Sequence, residues 1–64
     1  MSQNGTLVYG APYRVPGTVG TTWSFVPAPH GRNKLQATSS SGRITVELTR
    51  TVVQWVRRGD LELA

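Results

Sequence analysis

The chain has 64 residues, seven of them basic and three acidic, with a formal net charge of +4 and no cysteine. A chain this short forms one domain with a modest core, and the absence of Cys excludes disulfides and thiolate-bound metal as its staples. What remains is a tight apolar core, self-association or support from a partner chain.

The first segment, Thr6 to Val15, is rich in β-formers but carries Gly10 and Pro12. Pro cannot donate to a ladder, so the segment reads as an edge strand, a bulged strand or two short strands. Pro16 to Thr22 is a turn or loop by its Gly and Thr content. Trp23 to Val26 is a second short strand, ended by "PAPHGRN", Pro27 to Asn33. There the Pro-Ala-Pro piece favours an extended path and His-Gly-Arg-Asn a turn.

Lys34 to Leu48, "KLQATSSSGRITVEL", reads as a hairpin around the Ser39–Gly42 tract. One arm alternates with Leu35 and Ala37 facing the core, the other with Ile44, Val46 and Leu48 facing that same core, and the tract supplies the turn with Gly available for a positive φ. Lys34, Gln36, Thr38, Arg43, Thr45 and Glu47 then share a polar, mildly basic face.

The last segment, "LTRTVVQWVRRGDLELA", has helical spacing. At 100° per residue from Leu48, the apolar residues Leu48, Val52, Val53, Trp55 and Val56 span from about 340° to about 140°. Arg50, Thr51, Gln54, Arg57 and Arg58 occupy the remaining arc, and the two sets do not mix. Thr49 is the expected N-cap and Gly59 the expected stop. Arg57 and Arg58 fall in the last turn, where cations suit the helix dipole. Propensity argues the other way, because Thr, Val and Trp favour strands, so Thr51–Arg58 as a strand is the rival reading. Asp60 to Ala64 alternates like a final edge strand or a docked tail.

The expected fold is therefore a single small basic domain, residues 1–64, mainly β with one C-terminal helix. It is an antiparallel sheet of three or four strands packed on that helix. An all-β mini-barrel is the alternative. Both place Leu35, Ile44, Val46, Leu48, Val52 and Val56 in the core. Trp23, Phe25 and Trp55 are also expected there, because so small a core needs them. Tyr9 and Tyr13 are the aromatics freer to be exposed.

Enzymatic readings are poor, and no catalytic residue or cofactor is expected. The lone His30 sits in a Pro/Gly turn with no carboxylate near it in sequence. No nucleophile elbow, phosphate-binding glycine loop or metal-ligand spacing is present. Arg58-Gly59-Asp60 spells an adhesion-type tripeptide, but a helix stop already accounts for the Gly. The opening "MSQNGTLVYG" lacks the basic and apolar regions of a signal peptide, and no apolar run reaches membrane-spanning length. A cytoplasmic place, or one within a viral particle, is the expectation, with no membrane partner.

Charge gives the functional lead. Only Arg14 is basic before Gly31, whereas Arg32, Lys34, Arg43, Arg50, Arg57 and Arg58 follow with Glu47 as the one acid among them. Arg offers a planar fork of donors suited to phosphate and base edges. The piece "LTRTVVQWVRRGDLEL" resembles the second helix of small helix-turn-helix domains of the excisionase and MerR kind. The resemblance covers about sixteen residues, and a strand hairpin stands here where those domains carry a first helix. The expected function is a non-enzymatic nucleic-acid-binding module. Arg32, Lys34, Arg43, Arg50, Arg57 and Arg58 would neutralise phosphates and Gln54 would contact bases. The alternatives are a structural subunit of a homo-oligomer or larger assembly such as a phage particle, or a small protein-binding adaptor or inhibitor.

Overall fold

The structure is a computed structural model and describes residues 7–64. Within these residues five antiparallel strands form one open sheet: β1 (Tyr13–Arg14), β2 (Trp23–Pro27), β3 (Lys34–Ser39), β4 (Ile44–Leu48) and β5 (Glu62–Leu63). Among the described residues a single helix, α1 (Thr49–Arg58), separates β4 from β5. The sheet order is β4-β3-β2-β1-β5. The chain thus meanders across to β4, then crosses back along α1 to pair β5 with β1. The fold is α+β, with a helix over one sheet face, and not a mini-barrel.

The N-terminal β-rich run contributes only Tyr13–Arg14 as strand. Pro12 blocks the ladder before it, although the Gly10 N–H still reaches the Phe25 carbonyl at 3.0 Å. Thr6, where that run was expected to begin, lies outside the described residues.

The β3–β4 hairpin decides which residues are buried. Ser39 and Arg43 form its last pair, with the Ser39 N–H donating to the Arg43 carbonyl at 2.8 Å and the Gly42 N–H donating to the Ser39 carbonyl at 3.0 Å. The loop is therefore three residues, Ser40 to Gly42, and Gly42 takes the positive φ, 94°, that such a bulged turn demands. The Ser39 hydroxyl secures it, accepting from the Arg43 N–H at 3.0 Å and the Ser41 N–H at 3.3 Å. The ladder then runs Thr38 opposite Ile44, Ala37 opposite Thr45, Gln36 opposite Val46 and Leu35 opposite Glu47.

This overturns part of the expected core. A one-residue difference in the loop moves every β4 side chain to the other face. Ile44, Val46 and Leu48 are 60%, 56% and 42% exposed, while Leu35 and Ala37 are buried. The expected polar face is likewise divided. Lys34, Gln36 and Thr38 share the outer face with Ile44, Val46 and Leu48, whereas Arg43, Thr45 and Glu47 lie on the helix side.

The core consists of Tyr13, Phe25, Leu35, Ala37, Val52 and Leu61, flanked by Leu7, Ala11, Trp23, Trp55 and Val56. Tyr13 and Phe25 meet edge to face with ring centroids 5.9 Å apart. Tyr13 was expected near solvent but is buried, because its hydroxyl accepts the Val8 N–H at 2.9 Å. A phenol with its polar tip satisfied contributes its apolar body to a core at little cost. Phe25 is fully in the core, and Trp23 and Trp55 pack on its margin, half-buried.

Candidate nucleic-acid interface

The helix presents the basic residues because its period leaves them nowhere else. Val52 is completely buried and Trp55 and Val56 pack against the core, so the opposite arc faces solvent. Arg50, Gln54, Arg57 and Arg58 all lie exposed on it. Ten residues make a helix about 15 Å long, which sets the reach of this face.

Both helix ends are fixed by backbone bonds. At the start, Leu48 occupies the N-cap position with extended geometry and no side-chain cap, and Thr49 is the first helical residue. This corrects the expected Thr49 cap: the Thr49 N–H instead donates to the Asn33 carbonyl at 2.9 Å. Asn33 sits at φ 59°, a left-handed conformation that Asn tolerates well. At the far end Gly59 is left-handed (φ 83°, ψ 12°). The Gly59 N–H donates to the Val56 carbonyl at 3.2 Å and the Asp60 N–H to the Trp55 carbonyl at 2.8 Å. That pair of bonds is the Schellman arrangement, so Gly59 ends the helix as its spacing implied. Leu61 follows into the core, and β5 closes against β1.

The Asn33–Thr49 bond also gathers a cationic pair. It brings the β2–β3 loop to the start of α1, so that Arg32 and Arg50 line one cleft of ≈ 480 Å³ with Asn33, Leu48, Thr49 and Val53. Arg32 thus stands beside Arg50 at the start of the helix.

Two expected contributors lie elsewhere. Lys34 is exposed on the outer sheet face, opposite Leu48. Arg43 flanks a separate groove of ≈ 240 Å³ between β4 and the helix, with Thr45, Glu47 and Trp55 among its walls. All seven candidates are exposed, and none of them is in an ion pair among the described residues. The one ion pair there joins Arg14 to Glu62 at 3.0 Å, linking β1 to β5. His30 is exposed in its loop, and the described residues hold no group of three or more potential metal ligands. No helix among them is long and apolar enough to cross a membrane.

The feature hidden from the sequence reading is the apolar outer row of β4. Its signal was the length of the Ser-Ser-Gly loop, which sets the register, rather than the alternation, which is the same in either register. Comparison of the chain with protein-family models, with characterised proteins and with solved structures finds no match.

Proposed function

We infer that the protein is a non-enzymatic nucleic-acid-binding module that uses α1 and the adjoining Arg32 to contact phosphates. One observation carries this reading: Arg50, Gln54, Arg57 and Arg58 share an open helix face with no acidic partner among the described residues. A strip of unpaired guanidinium groups attracts a polyanion at long range and docks on its phosphates bidentately. Gln54 sits among them as the residue able to read a base edge. Placement in the last turn gives Arg57 and Arg58 a structural role as well, since they complement the carbonyl end of the helix dipole. The two roles are compatible, because the guanidinium groups extend beyond the helix backbone they stabilise.

The test is a titration of the protein into labelled duplex DNA and labelled RNA at about 50 mM and about 200 mM salt. Counterion release makes affinity fall steeply between the two, by about a hundredfold if four phosphates are neutralised. Absence of binding at the lower salt, or binding that ignores salt, overturns the reading.

A second reading, an assembly subunit, is supported by a different observation, the exposed row Ile44, Val46 and Leu48 on an edge strand.

A further inference from the structure

We propose that the protein forms a twofold-symmetric homodimer by antiparallel pairing of β4 with β4 of a second copy, centred on Thr45. The inference goes beyond nucleic-acid binding and does not depend on it, because the helix face takes no part in the seam.

The edges of the sheet differ. β5 is two residues long, and short edges resist pairing. β4 is five residues long, carries neither Pro nor Lys, and has β3 as its only ladder partner among the described residues. Its outer row is apolar. A long edge of that kind is a template for another strand.

Hydrogen-bond parity supports the pairing. The Ser39–Arg43 pair is bonded across the β3–β4 ladder, and bonded pairs alternate along antiparallel strands. Arg43, Thr45 and Glu47 therefore turn their backbone groups toward β3. Ile44, Val46 and Leu48 turn theirs toward the free edge. Two β4 strands centred on Thr45 place Ile44 of each copy opposite Val46 of the other as bonded pairs, which satisfies these free groups reciprocally.

Side-chain complementarity identifies the occupant as a second copy. In the same register Arg43 of each copy faces Glu47 of the other, and Thr45 faces Thr45. Opposite charges and Thr–Thr pairs are both favourable across strands. Within one chain Arg43 and Glu47 stand four residues apart along the strand, about 13 Å, and neither has an ion-pair partner among the described residues. The order Arg-Ile-Thr-Val-Glu thus matches its own reverse in both charge and apolarity, as an isologous interface requires. The outer face of the seam gains a cluster of Ile44 and Val46 from both copies, which removes from water the row that the hairpin register leaves bare.

An inward-facing charge on an edge strand can also serve to block pairing, and Glu47 is the residue that separates the two roles. Sedimentation and light scattering, with the chain raised to about 1 mM to capture weak association, are expected to give a mass approaching twice 7.0 kDa. Glu47→Arg and Arg43→Glu singly are expected to weaken dimerisation at least about tenfold, the equivalent of roughly 1.4 kcal/mol. The double variant Arg43→Glu/Glu47→Arg restores it, since the swapped charges still face each other. Because the chain has no Cys, Thr45→Cys reports the register: it cross-links to its own copy on oxidation, the non-bonded pair bringing its Cα atoms to about 4.5 Å. A monomer at all concentrations overturns the proposal. So does stronger association in Glu47→Gln, or failure of the double swap to rescue while it remains folded. Efficient cross-linking of Val46→Cys in place of Thr45→Cys overturns the Thr45-centred register.

Discussion

Ala37 stands directly opposite Thr45 across the β3–β4 ladder, and Ile44, the apolar neighbour of Thr45, therefore points away from Ala37 to the other side of the sheet. The three-residue loop closing the hairpin causes this relationship. Gly42 holds it at φ 94°, with no heavy atom within 4 Å of where a Cβ would stand. Gly42→Ala therefore carries a backbone cost alone, about 1–2 kcal/mol. For a domain this small the melting temperature is expected to fall by about 4 °C or more, and thermal denaturation followed by circular dichroism measures it. An unchanged midpoint would show that the turn does not clamp the register.

Val52 and Val46 carry the same side chain in opposite settings, 0% and 56% exposed. Val52→Ala removes packing from the centre of the core and is expected to cost about 2 kcal/mol, a transfer term plus a cavity term. Val46→Thr keeps the β-branch in water and is expected to change the stability of the monomer by less than about 0.5 kcal/mol. Urea unfolding of dilute protein compares the two. Equal losses would place Val46 in the core and contradict the ladder.

The legible parts of the fold were those fixed by local chemistry. The helix could be read because Val52, Trp55 and Val56 separate from Arg50, Gln54 and Arg57 at helical spacing, and Gly59 supplied its stop. The faces of β4 could not, because Ile44, Val46 and Leu48 alternate identically whichever way the strand is turned. Only the hydrogen bonds around Ser39 and Gly42 choose between the registers, and a difference of one loop residue reverses the choice. β1 was obscured for a related reason. Its pairing with β5 spans almost the whole chain, and Tyr13 is buried by a bond from Val8 that no periodicity records. For the candidate interface, the cationic helix face was readable from spacing, but the meeting of Arg32 with Arg50 depends on the Asn33–Thr49 bond. Lys34 and Arg43 were assigned to one face by the same register error that misplaced Ile44.

Tyr13 offers a separate check on how the N-terminal segment is held. Its hydroxyl accepts the Val8 N–H at 2.9 Å while its ring packs on Phe25. Tyr13→Phe retains the ring and removes only that acceptor. The expected cost is about 0.5–1.5 kcal/mol, the usual net worth of one such bond. Hydrogen exchange is expected to quicken at the Val8 amide while the core amides of β3 stay slow. Uniform loss of protection would show that the hydroxyl supports the whole domain rather than the local turn.

The two sides of the molecule make opposite predictions for nucleic-acid binding. Arg57 and Arg58 stand on the open face of α1, whereas Lys34 stands on the outer sheet face opposite Leu48. If α1 lies along the phosphates, Arg57→Gln/Arg58→Gln reduces the slope of log affinity against log salt by nearly one for each lost contact, about 1.8 in total on duplex DNA. Lys34→Gln removes one positive charge from the other side and is expected to leave the slope unchanged, with only a small uniform loss from the lower net charge. Gln54→Ala leaves the slope alone but narrows the difference in affinity between sequences, since an amide reads base edges and carries no charge. Competition titrations at several salt concentrations separate these outcomes. Equal slope changes for the helix pair and for Lys34 would mean that the chain attracts nucleic acid through its overall charge and not through a docked helix.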